Sequence, residues 1–392
     1  MNTTRWELPA GIEEVLPGQA WAVEALRRRL LDHYRASGYG LVIPPMVEFV
    51  DSLLTGTGEE LDLLTFKLTD RLTGRLMGVR ADMTPQMARI DAHSLREEGV
   101  SRLCYLGSVL RTMPDGFAGS RSPMQVGAEL FGHAGVEADI EIVGLMIETL
   151  AIAGITAPVI DLGHVGVFAA LAKQAGLNET AERELQDMFQ RKALPEIDQY
   201  LRDQGVPEPS RRMLSALGRL HGDVAVITQA REVLVAGGAD VAAALDRLER
   251  LVAVIARRYP KVRLQVDLTE LHGYAYHTGV VFAAYVEGVG HEIARGGRYD
   301  EVGKVFGRAR PATGFSADIR ELMRWADGNA EQAEDTSSPI YAPCDFDDPS
   351  LDEAIAALRA QGYVVVRMLP CEEPVRGRRL QRNNDSWLVL EI

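Results

Sequence analysis

Gln125-Val126-Gly127-Ala128-Glu129-Leu130-Phe131-Gly132 is the stretch on which the fold turns. It reads as a strand, and alternate residues of a strand face the same side. Gln125 and Glu129 therefore share a face, with Gly127 between them leaving room above the sheet. A glutamate on the covered face of a sheet is costly unless it is paired, so a cation or a ligand is expected there. Upstream, residues 103–132 form two strands around a Gly/Ser/Pro-rich loop at 114–123, with Arg111 just ahead of the loop.

Working outward, residues 19–37 place apolar side chains at helical spacing and stop at Gly38 and Gly40. Leu41-Val42-Ile43 then runs as a strand into Pro44-Pro45, where a backbone donor is dispensable. Residues 62–80 predict a hairpin turning at Asp70 to Gly74, residues 84–97 a helix, and residues 137–152 another. From about 164 to 258 the texture becomes helical: four or so amphipathic segments, including 240–256. Strands return at 262–267 and 279–286, followed by a glycine-dense loop over 287–307 and a helix near 315–325. Residues 326–339 are polar and acidic, a linker composition. Residues 340–392 then offer a strand, a helix at 351–361, a strand at 363–368 and the closing run Trp387 to Leu390. Antiparallel strands with helices grouped apart define an α+β chain.

Composition narrows the function. The 392 residues carry 42 Lys+Arg against 56 Asp+Glu, a net charge of −14 that gives no general attraction for polyanions or anionic membranes. The three cysteines, Cys104, Cys344 and Cys371, are far apart with no CxxC, which fits a reducing cytoplasm and argues against a disulfide framework or a thiolate zinc site. The first residues lack the apolar core of a signal peptide. The most apolar stretch, 142–160, carries Glu148 and is cut by Gly154 and Pro158. A cytoplasmic protein with no membrane contact is expected.

Common catalytic signatures are missing. Gly297 to Lys304 has the wrong spacing for a P-loop, and no GxGxxG, HExxH or GxSxG motif is present. His272 and His277 are close in sequence, but no metal and no cofactor are expected. Three segments stand out instead: Val79 to Gln86, Arg111 with Gln125 to Gly132, and Gly296-Gly297-Arg298-Tyr299-Asp300, where paired glycines allow close backbone approach. Together they describe a polar pocket for a small zwitterion, with carboxylates for an ammonium group and Arg111 for a carboxylate.

The order of motifs is itself informative. Pro9 to Pro17, Pro45-x-x-Glu48, Arg80 to Thr84, Arg111 with Gln125-x-Gly127-x-Glu129, Gly273 to Gly279 and Gly296 to Asp300 resemble the catalytic domain of histidyl-tRNA synthetase. The resemblance runs in register from about residue 6 to 325. It implies a class II aminoacyl-tRNA synthetase-like body over 1–325. That body is an antiparallel sheet flanked by helices, dimeric through the Pro45 motif, with a helical insertion at about 164–258. A linker at 326–339 and a small C-terminal α/β appendage at 340–392 follow. The resemblance also implies an inherited histidine pocket made of Asp82, Thr84, Arg111, Gln125, Glu129, His272, Tyr276 and His277.

Departures from the synthetase pattern decide the expected function. The catalytic arginine of the family falls on His272, the glycine of its third motif on Asp318, and its nucleotide-binding arginine on Glu321. In the second motif the Arg-x-Glu pair reads Arg111-Thr112-Met113. Two carboxylates where a triphosphate belongs would repel it, and a lost transition-state cation costs about 10² or more in rate. The region after the third motif is also too short for the synthetase's anticodon-binding domain. A synthetase-like body with part of the histidine pocket but a damaged nucleotide site resembles the family of ATP phosphoribosyltransferase regulatory subunits. That resemblance implies a chain without catalytic residues, a homodimer within a hetero-oligomer with the short-form catalytic subunit. It implies histidine as effector in the first step of histidine biosynthesis, and no tRNA. A divergent aminoacylating enzyme and a histidine-sensing module for an unrelated partner are the competing expectations.

Overall fold

The computed structural model describes residues 6–55, 59–114, 119–271, 273–274, 276–325, 339–370, 372, 377–384 and 386–391. The chain divides into two compact units, Met1–Asp327 and Gly328–Ile392.

The first unit is built on nine strands in the order Gly40–Leu41, Ser101–Ser108, Met124–Phe131, Ala312–Asp318, Ala294–Arg298, Val280–Tyr285, Val159–His164, Arg263–Asp267 and His221–Gly222. The ladders from Ser101–Ser108 through to Val159–His164 are all antiparallel. Parallel pairs join Gly40–Leu41 and Arg263–Asp267 to this centre. The edge strand stops after two residues because Pro44 and Pro45 follow; Arg80 Nη1 donates to the Pro44 carbonyl at 2.7 Å and holds the turn.

Strand alternation sorts the central side chains into two layers. Cys104, Leu106, Val126, Ala128 and Leu130 join the main core with Val23, Leu26, Leu30 and Tyr34 of the Pro17–Ala36 helix and with the Val136–Ala153 helix. Leu103, Tyr105 and Phe131 point the other way and meet Met83, Met87 and Tyr299. Gln125 and Glu129 share the parity of Phe131, so they face this second layer, beneath the Thr84–Arg89 helix.

Five expectations need correction. The helix expected near 315–325 is a strand over Ala312–Asp318, and helix follows only over Ile319–Arg324. The helix expected over 84–97 is α-helical only over Thr84–Arg89 and continues as a π-helical segment, Ile90–Leu95. Asp91 in that segment is buried, and Arg310 Nη1 donates to both its oxygens at 2.9 Å. The hairpin begins later than expected, since 59–64 is helical and the strands are Lys67–Thr69 and Leu76–Val79. The glycine-dense stretch is not all loop: Ala294–Arg298 is a central strand. Its glycines admit neighbours, since a Cβ on Gly296 would lie 2.6 Å from the Phe282 ring and one on Gly297 2.8 Å from His277. Finally, the region between Val159–His164 and Arg263–Asp267 holds six α-helices against the four or so expected, the longest being Gly238–Arg258.

The second unit is a four-stranded sheet in the order Val365–Arg367, Ile340–Ala342, Arg378–Asn383, Ser386–Glu391. The Pro349–Ala360 helix lays Leu351 and Ile355 over Ile340, Ala342, Val365 and Leu380. Asp348 caps that helix by accepting from the Ser350 and Leu351 amides. The Arg378–Asn383 strand had no apolar signal to reveal it. The acidic linker residues 326–338 lie outside the described residues.

Candidate ligand pocket on the sheet

Glu129 sits 1% exposed in the middle of the sheet, opposite Gly314 on one neighbouring strand and Leu103 on the other. A Cβ on Gly314 would collide with the Glu129 carboxylate, so glycine there is a condition for the carboxylate's position. The space over Gly127 is not open, as the spacing suggested: the Tyr105 hydroxyl fills it. This has a direct electrostatic consequence. Glu129 Oε1 accepts from Thr84 Oγ1 at 3.0 Å and from the Tyr105 hydroxyl at 3.2 Å, and Oε2 accepts from the Tyr299 hydroxyl. Burial pushes its pKa up to about 8, against the lowering effect of those hydroxyl donors. Three hydroxyls satisfy the oxygens, but none supplies the positive charge that a buried carboxylate needs to stay ionised.

Asp82, Thr84 and Gln125 lock the start of the covering helix to the strand. Asp82 Oδ1 accepts from the Thr84 amide at 2.9 Å and from Gln125 Nε2 at 3.0 Å, while Gln125 Oε1 accepts from the Met83 amide at 3.0 Å. Asp82 thus ties the start of the helix to the strand. Arg111 Nε donates to the Ala81 carbonyl at 3.3 Å, which brings its guanidinium next to Asp82 in the chain.

Tyr276 stacks on Tyr299 with centroids 5.1 Å apart and meets His277 edge-on at 5.6 Å. Its buried hydroxyl has no hydrogen-bond partner among the described residues. Such a donor usually finds one. His277 packs on Gly297. His272 lies outside the described residues. The sequence reading missed Tyr105 and Tyr299 as pocket residues. Tyr299 lay inside a quoted motif, whereas Tyr105 is revealed only by the register that sets it opposite Gly127.

At the far end of the same ladder Asp318 pairs with Gln125 in register. Its Oδ1 accepts from the Met124 amide at 3.1 Å and the Arg320 amide at 3.0 Å, capping the Ile319–Arg324 helix. Glu321 accepts from Arg324 at 3.1 Å and from the Trp325 indole, with His291 Nε2 3.0 Å away. Both carboxylates are engaged in local structure. Arg298 is equally committed: at 2% exposed it pairs with Asp139, and it donates to the His133 and Gly135 carbonyls. Among the described residues no group of His, Cys, Asp and Glu could hold a metal ion, and no helix is long and apolar enough to cross a membrane.

A mixed sheet with an antiparallel centre in this order, carrying a buried polar cluster under a helix on one face, defines a class II synthetase-like body. Comparison with known proteins agrees. Residues 11–322 match the family model for histidyl-tRNA synthetase, and residues 337–390 match the ATP phosphoribosyltransferase subunit HisZ C-terminal domain. An ATP phosphoribosyltransferase regulatory subunit from Thioalkalivibrio sulfidiphilus is 56% identical over 94% of this chain and 92% of its own length. One from Alkalilimnicola ehrlichii is 53% identical over 98% and 96%. A solved structure from Bacillus halodurans, described as an ATP phosphoribosyltransferase regulatory subunit/histidyl-tRNA synthetase, has a TM-score of 0.80 at 28% identity and covers 94% of each chain. The chain belongs to the family of ATP phosphoribosyltransferase regulatory subunits.

Proposed function

We propose that this chain is the non-catalytic regulatory partner of a short-form ATP phosphoribosyltransferase catalytic subunit, acting in the cytoplasm in the first step of histidine biosynthesis. It activates that subunit as a homodimer within a hetero-oligomer and carries histidine feedback. The observation that carries this reading is the 56% identity, over nearly the whole chain, to a protein of that name. Aminoacylation is lost in this reading. Asp318 and Glu321 stand where the synthetase resemblance requires a glycine and an arginine, and both are tied into helix capping and local pairing. A triphosphate would have to displace those contacts and face two like charges.

Histidine occupies the pocket of Asp82, Thr84, Arg111, Gln125, Glu129, Tyr276 and His277. Glu129 takes the ligand's cationic nitrogen and Arg111 its carboxylate. The support is the missing positive partner at Glu129 and the unmet Tyr276 hydroxyl beside it.

The test is co-elution of this chain with the catalytic subunit at micromolar concentration, followed by phosphoribosyl transfer with and without histidine. A stable complex, stimulated transfer and histidine inhibition are expected. Separate elution with unchanged transfer would end the reading. Amino-acid-dependent exchange of pyrophosphate into ATP by the chain alone would restore the synthetase alternative.

A further inference from the structure

On the face of the sheet away from Glu129, a cleft of about 350 Å³ opens between three helices. Arg102 has the strand parity of Cys104 and Leu106, which places it on this face. The lining residues that matter are Ser37, Gly38, Arg102, Glu141, Glu148 and Arg258. Glu141, Leu145 and Glu148 follow one another at helical spacing on the Val136–Ala153 helix and present one stripe to the opening.

The charges balance in number but not in commitment. Glu141 accepts from Arg102 Nε and Nη2 at 2.6 and 2.8 Å and from the Tyr39 hydroxyl at 2.8 Å. Glu148 accepts from the Tyr259 hydroxyl at 2.6 Å, with His33 Nε2 3.0 Å from its other oxygen. Gly144 permits this, because a Cβ there would lie 2.9 Å from the Tyr259 hydroxyl. Both carboxylates are therefore saturated. The arginines are not: among the described residues Arg258 has one loose contact, 3.8 Å to Glu148, and a place over the Tyr259 ring, and Arg102 keeps Nη1 unused.

Opposite them lies the C-terminal end of the 20-residue Pro17–Ala36 helix, which closes on Ser37 and Gly38. The His33, Tyr34 and Arg35 carbonyls there accept from the Ser37, Gly38 and Tyr39 amides, but a carbonyl oxygen has two lone pairs, and the helix dipole favours a cation at this end. Spare guanidinium donors facing a helix C-terminus, at zero net charge from two Arg and two Glu, suit neither a polyanion nor a metal ion. They suit one carboxylate and one ammonium. The volume is at the small end of ligand pockets, which run roughly 300–1,000 Å³.

We propose that this cleft is a second small-molecule site, separate from the Glu129 pocket, that takes a free α-amino acid. Arg258 and Arg102 hold the carboxylate, and the end of the Pro17–Ala36 helix holds the ammonium. A ligand there joins the Pro17–Ala36, Val136–Ala153 and Gly238–Arg258 helices, and so stiffens the helical layer behind the sheet.

The experiment is calorimetric titration of the full chain with L-alanine, acetate and methylammonium as probes. Alanine binds saturably, and acetate and methylammonium each bind more weakly. Arg258→Ala weakens alanine by at least about tenfold, the scale of one lost charge-assisted hydrogen bond. Arg258→Lys recovers part of the loss. Arg258 is half exposed and loosely held, so both variants retain the wild-type melting temperature. Absence of saturable alanine binding, equal binding in Arg258→Ala, or acetate binding as tightly as alanine would each overturn the proposal.

Discussion

Two buried carboxylates in the same sheet-and-helix body are treated in opposite ways. Asp139, fully buried, meets Arg298 at 2.9 Å and Arg247 at 3.2 Å. Glu129, 1% exposed, meets hydroxyls only. Burial raises the pKa of both, but at Asp139 two guanidinium groups act against it. The contrast separates a carboxylate paired with guanidinium groups from one held by neutral donors. Asp139 ties the Val136–Ala153 helix to the Ala294–Arg298 strand and asks nothing of a ligand. Glu129 holds a position that a cation would complete.

The largest expected effect breaks the structural side. Arg298→Met leaves Asp139 with only the more exposed Arg247, and costs about 3 kcal/mol or more of stability in a urea melt. Pairing it with Asp139→Leu recovers most of that loss. If the single variant costs no more than a surface substitution, the pair is not structural.

The next prediction sharpens the functional side. Glu129→Gln preserves shape and acceptor capacity but cannot become an anion. Histidine affinity falls by roughly 10- to 100-fold, the scale of one hydrogen bond to a charged group, while the fold is retained. Titration calorimetry reads both wild type and variant.

A smaller effect is the pH dependence. The Glu129 folded pKa, about 8, lies above its ordinary value of 4.5. The folded state therefore holds the proton longer than the unfolded chain does. The stability from this group is complete below pH 4.5, declines as pH rises, and is gone above about 8. Glu129→Gln removes that slope from a series of urea melts. Binding of a cation releases the same proton, so the apparent heat of histidine binding changes with the buffer's ionisation enthalpy. A buffer-independent heat contradicts this.

The smallest effect concerns the helix start at the end of the ladder. Asp318→Ala removes the cap on the Ile319–Arg324 helix and costs about 1 kcal/mol. A larger loss would mean that Asp318 carries more than a capping role.

Much of the frame was legible because its signals are local. The Gln125–Glu129 alternation, the Pro44-Pro45 stop and the Asp70–Gly74 turn each act within a few residues, and each fixes a feature that the structure contains. What was hidden depends on partners distant in sequence. Gly296 and Gly297 read as loop because glycine is common in loops, yet here they make way for Phe282 and His277 across a sheet. Tyr105 became a pocket residue only through its register with Gly127. The Ile90–Leu95 segment departs from α geometry where Asp91 meets Arg310, more than two hundred residues away in the chain. The Arg378–Asn383 strand is too polar to announce itself and is defined by its neighbours on both sides.

The most direct test of the account is histidine inhibition of phosphoribosyl transfer in the complex reconstituted with Glu129→Gln. The account predicts full stimulation of the catalytic subunit, with the half-inhibitory histidine concentration raised at least about tenfold. Inhibition at the wild-type concentration would contradict it and place the effector away from Glu129.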